Sequence, residues 1–130
     1  MIDKIAFILI QNRTILSTRT KGKEVYYIPG GKWESGETDE QTLIREVKEE
    51  LNIDIQPGSI NYLKTFTAQS HGAKQGVLVK MTCYTASFKG SLKASSEIAE
   101  LRWLHSADMA IISEVDKKIF GYLKSKGLIG

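Results

Sequence analysis

Apolar residues fall into short runs whose period changes along the chain, and the changes separate strands from helices. Lys4 to Gln11 is nearly continuous apolar sequence rich in Ile, which predicts a strand covered on both faces. Asn12-Arg13 supplies a turn, and Thr14 to Thr18 predicts a second, shorter strand. Val25 to Ile28 predicts a third, which runs straight into Pro29-Gly30-Gly31. Ile53 to Ile55 resumes apolar sequence and stops at the Pro57-Gly58 turn. Ile60 to Ala68 and Gly76 to Phe88 predict two longer strands around a loop from Gln69 to Gln75. In the second of these, Val77, Val79, Met81 and Cys83 alternate with Leu78, Lys80, Thr82 and Tyr84, so one face is apolar. Lys89-Gly90 closes that element, and Glu97 to Leu104 gives a last strand.

Two stretches carry a helical period instead. Thr38 followed by Gln41 is a capping-box signature, and no Gly or Pro interrupts the chain from Thr38 to Leu51. Leu43, Ile44, Val47 and Leu51 share one apolar arc of that helix, while Glu37, Asp39 and Glu40 stand where the positive end of its dipole favours acids. Asn52 occupies the position where helices often turn left-handed, a conformation Asn tolerates better than most residues. Ile112, Val115, Ile119, Phe120 and Leu123 recur at helical spacing near the C-terminus, with Gly127 beyond the last turn. Strands on both sides of a central helix, followed by a second helix, predict an α/β fold with a sheet packed between helical layers.

Composition narrows the class. At 130 residues, 42% hydrophobic and 25% charged, the chain is long enough for one cored domain over residues 1–130, and disorder is excluded. No repeat, low-complexity segment or linker divides it. The net charge of +3 admits anionic ligands, but no Lys/Arg cluster interleaved with aromatics is present, so nucleic acid is not favoured as a partner. Cys83 is the single cysteine, which rules out an internal disulfide, reads as a buried small hydrophobe and fits a reducing compartment. The apolar run Ile5 to Ile10 is too short to span a membrane and lacks a small-residue cleavage site after it, so the expectation is a cytoplasmic protein without membrane contact. Composition leaves the oligomeric state open, a homodimer included.

The chemistry concentrates between Tyr26 and Ile53. A glycine turn lets backbone approach a ligand closely, and here it precedes a helix on which Glu46, Glu49 and Glu50 stand at i, i+3 and i+4. Each like-charged pair at that spacing costs roughly 0.2–0.5 kcal/mol on an exposed surface. A solvated acidic face, with Arg45 paired to Glu49 at i+4, is one reading of those residues. The alternative is a site for a divalent cation and a phosphate-bearing ligand, because Mg²⁺ and Mn²⁺ take oxygen donors and often combine carboxylates with substrate phosphates. The adjoining glycine turn favours the second.

Gly31, five residues, Glu37, seven residues, Arg45-Glu46-Val47, one residue, Glu49-Glu50, one residue and Asn52-Ile53 together resemble the box of the Nudix hydrolases, with Asn52 where that family usually has Gly. The resemblance implies a Nudix-type α/β/α sandwich with a mixed β-sheet. It implies metal-dependent hydrolysis of a diphosphate linkage in a nucleoside diphosphate derivative, a small-molecule nucleotide substrate, and Mg²⁺ or Mn²⁺ as cofactor. Glu46, Glu49 and Glu50 match the family's metal-binding and base positions, and Gly30 matches one that offers its backbone carbonyl to metal. Glu37 and Arg45 match a supporting pair that holds loop and helix in register. Arg19 is similar in placement to a phosphate-contacting arginine of some relatives, and Gly31 and Lys32 fall at substrate-side positions. Glu100, and after it Glu97, precede Trp103 where relatives often supply a further metal ligand. His71 is a candidate acid or base in the loop before Gly72, Trp33 a candidate pocket wall, and Trp103 a core residue. Two other readings compete: a Nudix-fold nucleotide sensor without turnover, for which the retained carboxylates are unfavourable, and an RNA 5′ pyrophosphohydrolase.

Overall fold

In the computed structural model, which describes residues 1–70 and 76–130, β1 (Ile2–Phe7) forms the middle of a four-stranded mixed sheet. It runs parallel to β8 (Leu78–Thr85), with Lys4 opposite Met81 and Ala6 opposite Cys83, and antiparallel to the short β5 (Gly30–Gly31). β7 (Asn61–Gln69) completes that sheet as an antiparallel partner of β8. The apolar run that begins in β1 does not remain one strand. Ile10–Gln11, as β2, leaves for a second sheet in which β3 (Thr14–Thr20) pairs antiparallel with β2, with β4 (Tyr26–Tyr27) and with β10 (Ile98–Leu104). Asn12 and Arg13, both with positive φ, make the tight reversal between β2 and β3. A third pairing joins β6 (Asp54–Ile55) to β9 (Phe88–Lys89), so the long strand expected over residues 76–88 is interrupted after Thr85.

The alternation of β1 and β3 explains the layering. Ile5 and Phe7 turn to one side, with Leu16 of β3, and pack on Leu43, Val47 and Leu51 of α1 (Asp39–Leu51). Ala6 and Ile15 turn to the other side, against Val115, Ile119, Phe120 and Leu123 of α2 (Glu114–Ser125). The second half of β1 is therefore sandwiched between helices, which is why Ile5, Ala6 and Phe7 are apolar on both faces. The α/β/α arrangement expected from the sequence stands, and its sheet is mixed.

Both ends of α1 match their sequence signals. Thr38 caps the N-terminus: its side chain accepts from Gln41 N–H while the Gln41 side chain accepts from Thr38 N–H, at 3.2 and 3.0 Å. Asn52 is left-handed, at φ 57° and ψ 33°, and its N–H donates to the Lys48 carbonyl. The Glu50 and Leu51 carbonyls, orphaned by the helix end, accept from Ser95 and Lys93 N–H. The C-terminal helix begins later than its apolar period does: Ser113 caps it, and Ile112 lies outside, bridging to Tyr26. A 3₁₀ segment, Ser106–Ile111, precedes it and was not legible in the pattern.

Candidate active site

Pairing of β5 with β1 lays the glycine turn directly over the middle of the sheet, and both glycines are required there. A Cβ on Gly30, whose φ is 147°, would overlap the Ile5 carbonyl oxygen. A Cβ on Gly31 would stand 2.5 Å from the Glu46 carboxyl carbon. The missing side chains let the turn and the helix face come together. Glu50 Oε1 accepts from Gly30 N–H at 3.3 Å, and the Glu46 carboxyl lies against Gly31.

The helix is locked to the loop before it by charge. The Arg45 guanidinium donates through Nε to Glu37 Oε2 at 2.7 Å and through one terminal nitrogen to Glu37 Oε1 at 2.8 Å, the two-pronged geometry that fixes orientation as well as distance. The same terminal nitrogen donates to the Lys32 carbonyl at 2.9 Å, and the other to Glu46 Oε1 at 3.0 Å. Glu37 also accepts from Glu34 N–H and the Thr42 hydroxyl, and the Arg45 contact holds its carboxyl down at about 2. Arg45 thus ties loop, glycine turn and acidic face into one unit. Lys32 enters this unit through its backbone carbonyl.

The three box carboxylates are not equivalent. Glu46 and Glu50 converge: burial is the main cause that raises both, the Glu50 carboxyl to about 8, where the charge of Glu46 adds to it, while Arg45 draws Glu46 partly back. Glu49 leaves its side chain 52% exposed and leans on Arg45 Nη1 at 3.5 Å, as an i,i+4 pair. Accordingly, among the described residues no three His, Cys, Asp or Glu side chains gather into one metal-ligating group. A pair of partly desolvated carboxylates beside a glycine cradle is still a fitting donor set for a hard divalent cation, which would replace the proton that burial forces onto Glu50.

Glu100 and Arg19 stand apart from this pair and engage each other. Glu100 Oε1 accepts from the Tyr26 hydroxyl at 2.7 Å and from Arg19 Nε at 3.2 Å, and these contacts hold its carboxyl below the usual range. Arg19 donates further to the Lys23 carbonyl. The structure therefore brings together Glu37, Arg45, Glu46, Glu50, Gly30, Gly31 and the Lys32 backbone, and it leaves Arg19 and Glu100 as a separate pair. Trp33 donates to Asp39 rather than facing the cleft, and Trp103 packs on the α1-side core. His71 lies outside the described residues.

A cleft of about 200 Å³ runs from Gly30, Gly31 and Glu50 to Lys4, Tyr27 and Met81. Sequence reasoning passed over one buried group beside it, Asp116. Fully enclosed on α2, it accepts from Ile28 N–H at 2.9 Å, and burial pushes its carboxyl up to about 7. The signal was present, since Asp116 precedes Ile119 and Phe120 by three and four residues and so shares their buried face.

The NUDIX domain model matches residues 2–122. The chain belongs to the Nudix hydrolase family. Solved structures share its fold. The Escherichia coli ORF135 protein superposes with a TM-score of 0.74 at 22% identity, over 96% of this chain and 89% of its own. A Nudix hydrolase family member from Chromobacterium violaceum gives 0.70 at 25%, over 96% and 77%. The Escherichia coli dihydroneopterin triphosphate pyrophosphohydrolase gives 0.70 at 18%, over 92% of each chain. No curated protein matches the sequence. No helix among the described residues is long and apolar enough to cross a membrane.

Proposed function

We propose that residues 1–130 act as one Nudix hydrolase domain that cleaves a diphosphate linkage in a nucleoside diphosphate derivative with Mg²⁺ or Mn²⁺. The observation that carries this is the Glu46–Glu50 pair set against Gly30 and Gly31 and held there by Arg45 and Glu37. A relative whose name is a triphosphate pyrophosphohydrolase supports the same bond class.

Glu46 and Glu50 would hold the cation, with the Gly30 carbonyl and Glu49 as further oxygen donors. When bound, the cation polarises phosphoryl oxygens and offsets the charge that develops on them. The chain's own residues do the rest. Arg45 and Glu37 keep the helix face and glycine turn at fixed separation, so the carboxylates would receive the cation without reorganising. One of the box carboxylates, Glu46, Glu49 or Glu50, takes the proton of the attacking water. The cleft toward Tyr27 and Met81 takes the nucleoside end. A small nucleotide fits that cleft as partner, and the buried Cys83 fits a reducing, cytoplasmic setting.

The test is a panel of nucleoside triphosphates, nucleotide sugars, dinucleoside polyphosphates and coenzymes, assayed with Mg²⁺, with Mn²⁺ and with EDTA. Release of a nucleoside monophosphate only with metal is expected. Full turnover in EDTA would overturn the metal mechanism, and nucleotide binding without turnover would identify a sensor.

A further inference from the structure

The cleft does not end at Tyr27. A second cavity, of about 110 Å³, adjoins it and is bounded by Ile2, Ser70, Val79, Ser113 and Val115, and Lys4, Tyr27 and Met81 line both. The two cavities are lobes of one cleft. One lobe carries the glycines and Glu50, and the other mixes apolar walls from Ile2, Val79 and Val115 with Ser70 and Ser113. Lys4 stands at their junction.

That position is unusual for a lysine. Lys4 is half-buried on β1, opposite Met81 of β8, and its ammonium sits 5.9 Å from the centre of the Tyr27 ring. Among the described residues it makes no hydrogen bond, and no carboxylate lies within 4.0 Å; Asp116 feels its charge only from beyond that distance. A surface lysine would extend its amine into bulk water. Here the face of an aromatic ring, not a carboxylate, is the group beside the ammonium. Lys4 lines both lobes, the one that carries Gly30, Gly31 and Glu50 and the one bounded by Ile2, Val79 and Val115.

We propose that Lys4 is a specificity-determining residue, donating a hydrogen bond to an oxygen acceptor of the nucleotide at the junction of the two lobes. This rests on the nucleotide reading above and extends it to a residue outside the box. The acceptor is a carbonyl oxygen of the base or an oxygen of the α-phosphate; both offer the same chemistry to an ammonium. A site built to donate to an oxygen rejects a ligand that lacks it, because the donor is then left buried and unsatisfied.

Equilibrium binding of three non-hydrolysable products separates the sources: inosine monophosphate, with a 6-carbonyl; adenosine monophosphate, with an amino group there; and ribose 5-phosphate, with no base. The variants are Lys4→Met, which keeps the stem, Lys4→Gln as a second neutral form, and Lys4→Arg, which keeps the charge, each checked for folding by its melting curve. If the acceptor is a base carbonyl, Lys4→Met weakens inosine monophosphate binding about tenfold and changes adenosine monophosphate less than twofold. If it is the phosphate, all three ligands weaken together by about tenfold. In both cases Lys4→Arg retains most of the affinity. Neutral variants that bind all three ligands within twofold of wild type would overturn the proposal. The hydrolase reading fails separately: Lys4-dependent binding with no metal-dependent hydrolysis keeps this subsite and rejects the enzyme, whereas hydrolysis with Lys4-independent binding does the reverse.

Discussion

Two helices each set a carboxyl against the same four-residue segment. Glu50 of α1 accepts from Gly30 N–H, and Asp116 of α2 accepts from Ile28 N–H, two residues earlier. Burial raises both acids, to about 8 and about 7. Their surroundings differ in what else reaches them. Glu50 lines the cleft and has Glu46 beside it, so a second negative charge adds to the cost of ionising it and a cation has a way in. Asp116 is sealed and faces no second acid; its hydrogen bonds from Ile28 and Ser113 and the charge of Lys4 draw it partly back. An acid raised by burial therefore makes a site in one place and a fastening in the other, and access with a like-charged neighbour makes the difference.

The sharpest way to break that contrast is to neutralise each acid without changing its shape. Glu50→Gln should lower kcat by at least about a hundredfold, equivalent to about 2.7 kcal/mol of barrier, while the metal-free protein melts no lower than wild type. Steady-state assays beside thermal melts in EDTA check both halves. An unimpaired variant would show that Glu50 is a second fastening.

Gly31→Ala attacks the same site from the turn. The new Cβ would stand 2.5 Å from the Glu46 carboxyl carbon, so Glu46 must move. Misplacement by about 1 Å can cost on the order of a hundredfold in rate, and a loss of tenfold or more is expected here with melting nearly unchanged. A titration of Mg²⁺-dependent stabilisation should weaken in parallel. Retained activity would mean that Glu46 has room to retreat without leaving the metal.

How much of this contrast the sequence carries follows from how local each signal is. Capping by Thr38 and Gln41, the left-handed Asn52 and the spacing of Glu37, Arg45, Glu46 and Glu50 are set within one or two helical turns, and all were readable. Glu46 and Glu50 lie about 40° apart around the helix and Glu49 about 100° from Glu50, at 100° per residue. Which of the three face the glycines is decided by where β5 docks, and that pairing with β1 spans the chain from Ile5 to Gly31. The Arg19–Glu100 pair depends in the same way on β3 meeting β10, eighty-one residues later. Lys4 and Asp116 looked ordinary because a strand lysine and an acid in the first turn of a helix are ordinary until packing encloses them.

Asp116 supplies the pH test. Its folded value, about 7, lies above its ordinary value of 3.8, so the folded state favours the protonated acid. Its contribution to stability is complete at low pH and is lost as pH rises through that interval. Asp116→Asn mimics the neutral acid and should melt close to wild type near pH 4, then exceed it above pH 7 by on the order of 1 kcal/mol. Asp116→Ala should instead cost about 1–3 kcal/mol at low pH, by leaving Ile28 N–H without an acceptor. Urea melts from pH 4 to 8 in EDTA give both curves; parallel curves for wild type and the Asn variant would remove Asp116 as a titrating group.

The smallest expected effect lies at the helix ends that hold the two acids in place. α1 ends on Asn52 in the left-handed conformation, and α2 passes through Lys126 before Gly127 takes the positive φ of 73°. Asn tolerates that conformation through its short polar side chain, whereas a β-branched residue there costs roughly 1–2 kcal/mol. Asn52 is exposed and its N–H bond to Lys48 is a backbone contact, so no side-chain interaction is lost with it. Asn52→Gly should therefore stay within a few tenths of a kcal/mol of wild type. Asn52→Val should lose about 1 kcal/mol or more, and because Ile53 follows it into the α1-side core, the strain falls on the last turn that carries Glu49 and Glu50. If the Val and Gly variants share a urea midpoint, the cap does not hold the acidic face, and the support of Glu50 rests on Arg45 and the glycine turn alone.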